Sequence, residues 1–284
     1  MGQMYSQSMP QEAPAADLPG DETARPLIRF DAVSVIFASQ AGQKITALHD
    51  FNLGVRAGEI LALVGPSGCG KSTALRLVSG LLAPTLGRVH IEGGPRRRGF
   101  EEVAIVFQRP TLLPWFNVLQ NVLYPVRMLG RRITPADRER ARELLAMVGL
   151  ADRGLLMPDE LSGGMQQRAA ICRSLILDAK ILLMDEPFGA LDALTREELQ
   201  IDLLRLHHAT GKTILLVTHS ISEAVLVANR VAVMAANPGR LKDMIEIDLP
   251  SPRDQLTQSQ PMFARYAQQI RDGIFSRRNQ GMES

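Results

Sequence analysis

The sequence predicts an α/β fold: a mostly parallel sheet with flanking helices and an inserted block of helices. Three observations point there. Short apolar runs of strand length recur along the chain and alternate with helical or loop sequence, the pattern of a sheet covered on both faces. One such run, Glu59–Val64, leads straight into a glycine-rich loop that opens a helix at Ser72. Between about residues 110 and 165 the pattern turns helical, which marks the insertion.

Taken in order, residues 1–25 are rich in Gln, Ser, Pro, Ala and acidic residues without periodicity. Such a composition buries too little apolar surface to order itself, so a disordered tail is expected. Leu27–Val35 and Lys44–Val55 are expected strands that open a domain over residues 26–250. Glu59–Val64 is a short apolar strand, and Ser72–Ser79 a helix that stops near Gly80. Further strands are expected at Val103–Phe107, Ile181–Met184, Thr213–Thr218 and Arg230–Met234. Within the helical block, Thr134-Pro135 starts a helix with a capping hydroxyl, a proline at the first helical position and Asp137 in the first turn. Ala141, Leu144, Leu145 and Val148 supply its apolar face and Gly149 ends it. Met165–Leu177 reads as another helix. Residues 251–284 are expected to form a helical extension, with Phe263, Tyr266, Ile270 and Ile274 at helical spacing and Arg277 and Arg278 at its negative pole.

Composition narrows the function classes. With 284 residues, 45% hydrophobic and 22% charged, the chain can bury a real core. A formal net charge of +2 gives no global reason to expect nucleic acid. The two cysteines, Cys69 and Cys172, lack metal-type spacing and imply no disulfide framework, so a reduced cytosolic setting is expected. No apolar run approaches the roughly 20 residues of a membrane span, and no secretory leader is expected.

The loop Gly65-Pro66-Ser67-Gly68-Cys69-Gly70-Lys71-Ser72-Thr73 has the spacing and context of a phosphate cradle, with a strand before it and a helix after. Small residues let backbone N–H groups converge on phosphate oxygens, and the helix N-terminus adds partial positive charge. Lys71 would reach the β- and γ-phosphates and Ser72 would ligate Mg²⁺. The bland alternative is a glycine turn, but a chance match of the four fixed positions has a frequency of about one per cent in a chain this long. Ile181–Met184 then delivers Asp185 and Glu186 at the strand edge where open α/β sheets bind ligands. Asp185 would hold Mg²⁺, mostly through water, and Glu186 would orient and deprotonate the attacking water. Elsewhere such a pair is often only a helix cap; beside the loop it reads as functional.

The segment Leu161-Ser162-Gly163-Gly164-Met165-Gln166-Gln167-Arg168 is the third mark. A glycine turn before a helix would explain Gly163 and Gly164 but not Ser162, Gln166, Gln167 and Arg168 together. In this order the three segments resemble those of the ATP-binding-cassette ATPases, and the resemblance covers residues 27 to 250. It implies a P-loop nucleotide-hydrolase core with an N-terminal antiparallel β-subdomain and an inserted α-helical subdomain at about 110–165. It also implies ATP and Mg²⁺ as cofactors and a sandwich dimer, in which Leu161, Ser162, Gly163, Gly164 and Gln166 of one copy close over ATP held by another. By the same resemblance Gln108 is the Q-loop glutamine that senses Mg²⁺ and water, Asp192 belongs to a D-loop crossing the dimer interface, and His219 is the switch histidine at the γ-phosphate. Phe37 falls where the family stacks an aromatic ring on adenine, although a core phenylalanine would look the same. His207, His208 and Arg96–Arg98 match nothing and are expected to be solvated.

Leu112-Leu113-Pro114-Trp115, Asp185–Arg196 and Asn237-Pro238-Gly239-Arg240 are similar to the nitrate/sulfonate/taurine importer branch. That similarity implies an integral membrane permease as partner, a solute-binding protein acting indirectly, and a place on the cytoplasmic face of the inner membrane. Ser220 and Ser222 depart from the branch, which has acidic residues there. The rival reading is a cassette acting on DNA or ribosomes; its usual marks, a long coiled-coil insertion, zinc-binding cysteines or tandem cassettes, are not in this sequence.

Overall fold

Two strands open the fold, and each carries a kink that the sequence does not advertise. β1 (Ile28–Ala38) and β2 (Lys44–Val55) pair antiparallel, with register shifts between Phe30 and Val33 and between Val33 and Val35. Ala32 and Asp50 sit at φ values of 47° and 45°, so each strand slips by one residue and the buried set becomes Phe30, Val33 and Val35 facing Leu48, Phe51 and Leu53. Phe30 and Phe51 meet edge to face, with ring centroids 5.3 Å apart. The computed structural model describes residues 26–38, 43–92, 94–95 and 102–275. The tail expected at 1–25, the Arg96–Arg98 turn and the basic end at Arg277 and Arg278 lie outside the described residues.

β3 (Ile60–Val64) is followed by α1 (Lys71–Val78), then by β4 (Leu86–Ile91) and the two-residue β5 (Gly94–Pro95), which extend the first sheet in the order β2-β1-β4-β5. β4 is missing from the sequence expectations because Gly87, Arg88 and His90 interrupt its apolar alternation; pairing with β1 is what makes it a strand. β6 (Val103–Val106) stops one residue short of its expected end and leaves Phe107 half exposed. α2 (Val118–Met128), α3 (Pro135–Met147) and α4 (Gly163–Leu175) then pack on one another. Thr134 caps α3, its side chain accepting the Asp137 N–H at 3.2 Å while Asp137 accepts the Thr134 N–H at 2.8 Å.

The remaining chain alternates β7 (Ile181–Asp185), α5 (Ala193–Thr210), β8 (Thr213–Val217), α6 (Ile221–Val227), β9 (Arg230–Ala235) and β10 (Arg240–Glu246), and closes on α7 (Pro261–Phe275). The main sheet runs β10-β9-β3-β8-β7-β6, parallel except for β10. Alternation along its strands splits the interior into two cores. Ile60, Ala62 and Val64 face the layer of α2 to α7, while Leu61 and Leu63 face α1 and the antiparallel sheet. Residues 181–184, 214–217 and 231–234 divide the same way. His207 corrects the solvated expectation, since its Nε2 lies 3.0 Å from the Gly58 carbonyl and burial pushes its pKa down. The loops after β3, β6, β7 and β8 gather at the carboxyl edge of this sheet, where open α/β folds bind ligands.

Candidate functional site

Gly65 to Gly70 join β3 to α1. Gly70 caps the helix at φ 94°, and a Cβ there would stand 2.6 Å from Leu48 Cδ2 and 2.9 Å from the Ala47 carbonyl, so no other residue fits. No side chain caps α1, and its first-turn N–H groups are left for an anion. Pro66, Ser67 and Gly68 form the exposed rim of the loop, and Ser72 and Thr73 are half-buried behind it. Lys71 is only 8% exposed, yet its ammonium donates to neutral groups alone, the carbonyls of Gly65 at 2.8 Å and Pro66 at 3.2 Å, with the Cys69 sulfur at 3.7 Å. A buried cation satisfied by carbonyls at an uncapped helix start fits a phosphate chain. Cys69 is buried and its thiol is pushed up by that burial, so it packs rather than reacts.

The two carboxylates are separated by a backbone turn. Asp185 ends β7 and accepts the Ser72 hydroxyl at 3.3 Å. Glu186 adopts φ 49°, held by its N–H donating to the Val217 carbonyl at 2.9 Å. Its Oε2 lies 3.2 Å from His219 Nδ1 beyond the end of β8. Burial raises the Asp185 carboxyl and the neighbouring Glu186 charge adds to the rise, against the Ser72 hydrogen bond and the cations Arg76 and Lys71. Gln108 reaches the same place from β6, for a Cβ on Gly189 would stand 3.1 Å from its Nε2 and 3.7 Å from Glu186 Oε2. The Ser72 hydroxyl and the Asp185 carboxylate are hard oxygen donors, and among the described residues no group of three His, Cys, Asp or Glu could hold a metal alone. That donor set fits Mg²⁺, which keeps waters and takes phosphate oxygens as its other ligands.

The Leu161–Arg168 segment is built differently from an inward-facing site. Leu161 is buried in the core, whereas Ser162 and Gly163 are exposed at the start of α4. Ser162 Oγ accepts the Met165 N–H at 3.3 Å. A Cβ on Gly164 would stand 2.2 Å from Thr195 Cγ2, so this glycine answers to close packing against α5. Gln166 donates to the carbonyls of Pro158 at 2.9 Å and Leu161 at 3.2 Å, which makes it a brace of the turn. Among the described residues no hydrogen bond or ion pair joins Ser162 or Gly163 to the phosphate loop. Asp192 caps α5, accepting the Thr195 N–H at 3.1 Å, and that bond holds its carboxyl below the usual range. Phe37 lies opposite Ile45 and is 39% exposed, open to a planar ligand.

Several contacts of this region are not announced by the sequence pattern. Gln167 donates to the Phe107 carbonyl at 3.1 Å, and Arg173 donates to the carbonyls of Thr111 and Pro110, each at 2.9 Å. The helix capped by Ser162 thereby grips the chain on both sides of Gln108. Ser220 and Ser222, where acidic residues were expected, share a hydrogen bond of 3.1 Å, and Ser220 Oγ accepts the Glu223 N–H at 3.3 Å. A serine fills the helix-capping role that an aspartate would have.

With this geometry established, similarity to known proteins is specific. Residues 48–189 match the sequence family described as ABC transporter. The taurine import ATP-binding protein TauB of Burkholderia pseudomallei is 46% identical over 209 residues, covering 74% of this chain and 80% of that one. An uncharacterized ABC transporter ATP-binding protein of Methanocaldococcus jannaschii is 46% identical over 215 residues, covering 75% and 80%. Among solved structures, the dimeric post-hydrolysis state of the cassette MJ0796 with ADP and Pi superposes with a TM-score of 0.68 at 31% identity, covering 78% of this chain and 98% of that chain. The cbiO1 subunit of the Clostridium perfringens cbiONQ transporter complex superposes with a TM-score of 0.70 at 26% identity, covering 78% and 89%. These relatives are transporter proteins, which decides against a cassette working on DNA or ribosomes. A phosphate cradle, a carboxylate–histidine pair and an exposed serine–glycine helix start on one matching fold have a single explanation: this chain belongs to the ABC transporter ATPases.

Proposed function

We propose that two copies of this chain dock head to tail and trap two ATP molecules between the phosphate loop of one and the Ser162–Gly164 segment of the other. The observation that carries this is the division of the site. Lys71, Ser72, Gln108, Asp185, Glu186 and His219 converge in one place, while Ser162 and Gly163 stand exposed on a helix start that bonds to none of them. In the proposed roles, Lys71 and the α1 N–H groups bind phosphate, Phe37 stacks on adenine, and Ser72 and Asp185 hold Mg²⁺ with Gln108. Glu186 takes the proton of the attacking water, and His219, within hydrogen-bond reach of Glu186, orients it and contacts the γ-phosphate. Binding closes the dimer and hydrolysis releases it.

We further propose that this motion drives import of a small sulfonate-like compound, as the name of the taurine import relative suggests, through a separate permease fed by a solute-binding protein. No helix among the described residues is long and apolar enough to cross a membrane, in keeping with a subunit held at the cytoplasmic face by its permease. In this proposal the cassette spans residues 26–250, its helical subdomain about 110–165 passes the motion to the permease, and residues 251–284 form an extension. Glu186→Gln tests the centre of it. Hydrolysis should fall by about a thousandfold while ATP stays bound and a dimer appears on gel filtration with ATP. Wild-type turnover would remove Glu186 from the role of base. Gentle detergent extraction with mass spectrometry of co-purifying chains should recover an integral permease.

A further inference from the structure

A chain of polar contacts runs from the turn before α5 to the turn that carries His219. Arg196 lies one helical turn past Asp192. Its Nη2 donates to the Leu191 carbonyl at 2.8 Å, and its Nε faces Glu223 Oε1 at 3.7 Å, a charge contact longer than a hydrogen bond. Glu223 is only 5% exposed although it is a carboxylate on a short helix. Its other oxygen accepts the Thr218 hydroxyl at 2.5 Å. The Thr218 hydroxyl in turn accepts the Ser220 N–H at 3.0 Å, and Ser220 Oγ returns to the Glu223 N–H at 3.3 Å. His219 thus sits between Thr218, whose hydroxyl is held by this buried carboxylate, and Ser220, which bonds the Thr218 hydroxyl and the backbone of Glu223, while the Arg196 guanidinium faces the carboxylate. Among the described residues the close polar partner of the imidazole is Glu186, at 3.2 Å; the Glu223 charge acts on it from further off, and its side chain is 65% exposed.

A buried carboxylate needs a partner cation and hydrogen bonds, and supplying them costs desolvation that two apolar side chains would avoid. Packing alone would place α6 against α5. A charged pair adds geometry, because the planar guanidinium binds the Leu191 carbonyl through one nitrogen and faces Glu223 with another. Displacing Leu191 and Asp192 therefore moves or breaks the hold on Glu223, and with it the hold on Thr218 and Ser220.

We propose that Arg196 is a positioning residue for hydrolysis: through Glu223 and Thr218 it makes the place of His219 depend on the Leu191–Asp192 turn. This rests on the composite dimer proposed above, in which the partner copy sets the position of that turn in the closed state. Closure is then reported to His219 within the same chain, so the seating of the partner and the alignment of the histidine are coupled.

A mutant cycle on the full chain tests this. Arg196→Ala should lower kcat for ATP by about tenfold with KM within about twofold, since phosphate binding is untouched. Made in a His219→Ala background, the same substitution should change kcat by less than about twofold, because Arg196 acts through the histidine. Glu223→Gln, which keeps the shape and removes the charge, should repeat the pattern and replaces Arg196→Ala if that variant fails to fold. Equal losses in the two backgrounds would mean a merely structural role and would overturn the relay, as would wild-type kcat for Arg196→Ala. Retention of the ATP-dependent dimer by Glu186→Gln, and of a large loss by His219→Ala, would confine such a failure to the relay. If His219→Ala itself kept wild-type turnover, or no dimer formed, the composite-site proposal would fall together with it.

Discussion

Asp185 is a carboxylate held where water is scarce, with Glu186 as its sequence neighbour, and its pKa is raised for both reasons. In the proposed site that cost accompanies the role of Asp185 as a ligand for a cation. A group raised in the folded state destabilises it above the folded pKa and ceases to do so once protonated in both states. Asp185→Asn should therefore raise the unfolding midpoint at pH 8, with the gain shrinking as pH falls through the raised pKa and vanishing below the ordinary carboxylate range. Thermal melts across pH would check this; a gain independent of pH would assign it to some other cause. The same variant should lose about a hundredfold or more in Mg²⁺-dependent hydrolysis. Residues of this kind were legible in the sequence because fixed spacings of glycine, lysine and paired acids follow from phosphate and metal chemistry. The contact of Arg196 with Glu223 was not, since only the packing of α5 against α6 brings the two together.

At the scale of elements, apolar runs and capping residues revealed β3, β6 to β9 and α3, each stabilised by its own local pattern. β4 and the kinks at Ala32 and Asp50 stayed hidden, because they depend on partners across a sheet and on positive φ at residues other than glycine. The turn before α2 is another such case. Asn121 is fully buried, accepts the Leu113 N–H at 2.7 Å and donates to the carbonyls of Leu113, Phe116 and Asn117 at 3.1, 2.8 and 3.1 Å. Trp115 stands 67% exposed on the turn that this amide pins. Asn121→Ala strands several of these groups and should cost about 2–4 kcal/mol. The chain has one tryptophan, so its fluorescence anisotropy should fall in the folded variant while the circular dichroism is unchanged. Unaltered anisotropy would mean the turn is held by Arg173 and its neighbours instead.

At the scale of the whole molecule, the proposed assembly turns on a surface that the single chain leaves open. Ser162→Arg should cost about 1 kcal/mol through the lost cap and still leave ATP binding to the monomer intact. In a Glu186→Gln background it should keep the protein monomeric with ATP on gel filtration. A dimer of undiminished stability would place the contact elsewhere. The grip of α4 on the chain around Gln108 has a mechanical consequence. The helix is fastened near its middle by Gln167 to Phe107 and near its far end by Arg173 to Pro110 and Thr111. At 1.5 Å per residue, Ser162 and Arg173 are roughly 16 Å apart along the axis, so a tilt of about 10° about one end carries the other by about 3 Å. Hydrogen bonds do not survive such a stretch. The chain at Pro110 and Thr111 must travel with the serine as one lever, and a force applied at either end is felt at the other.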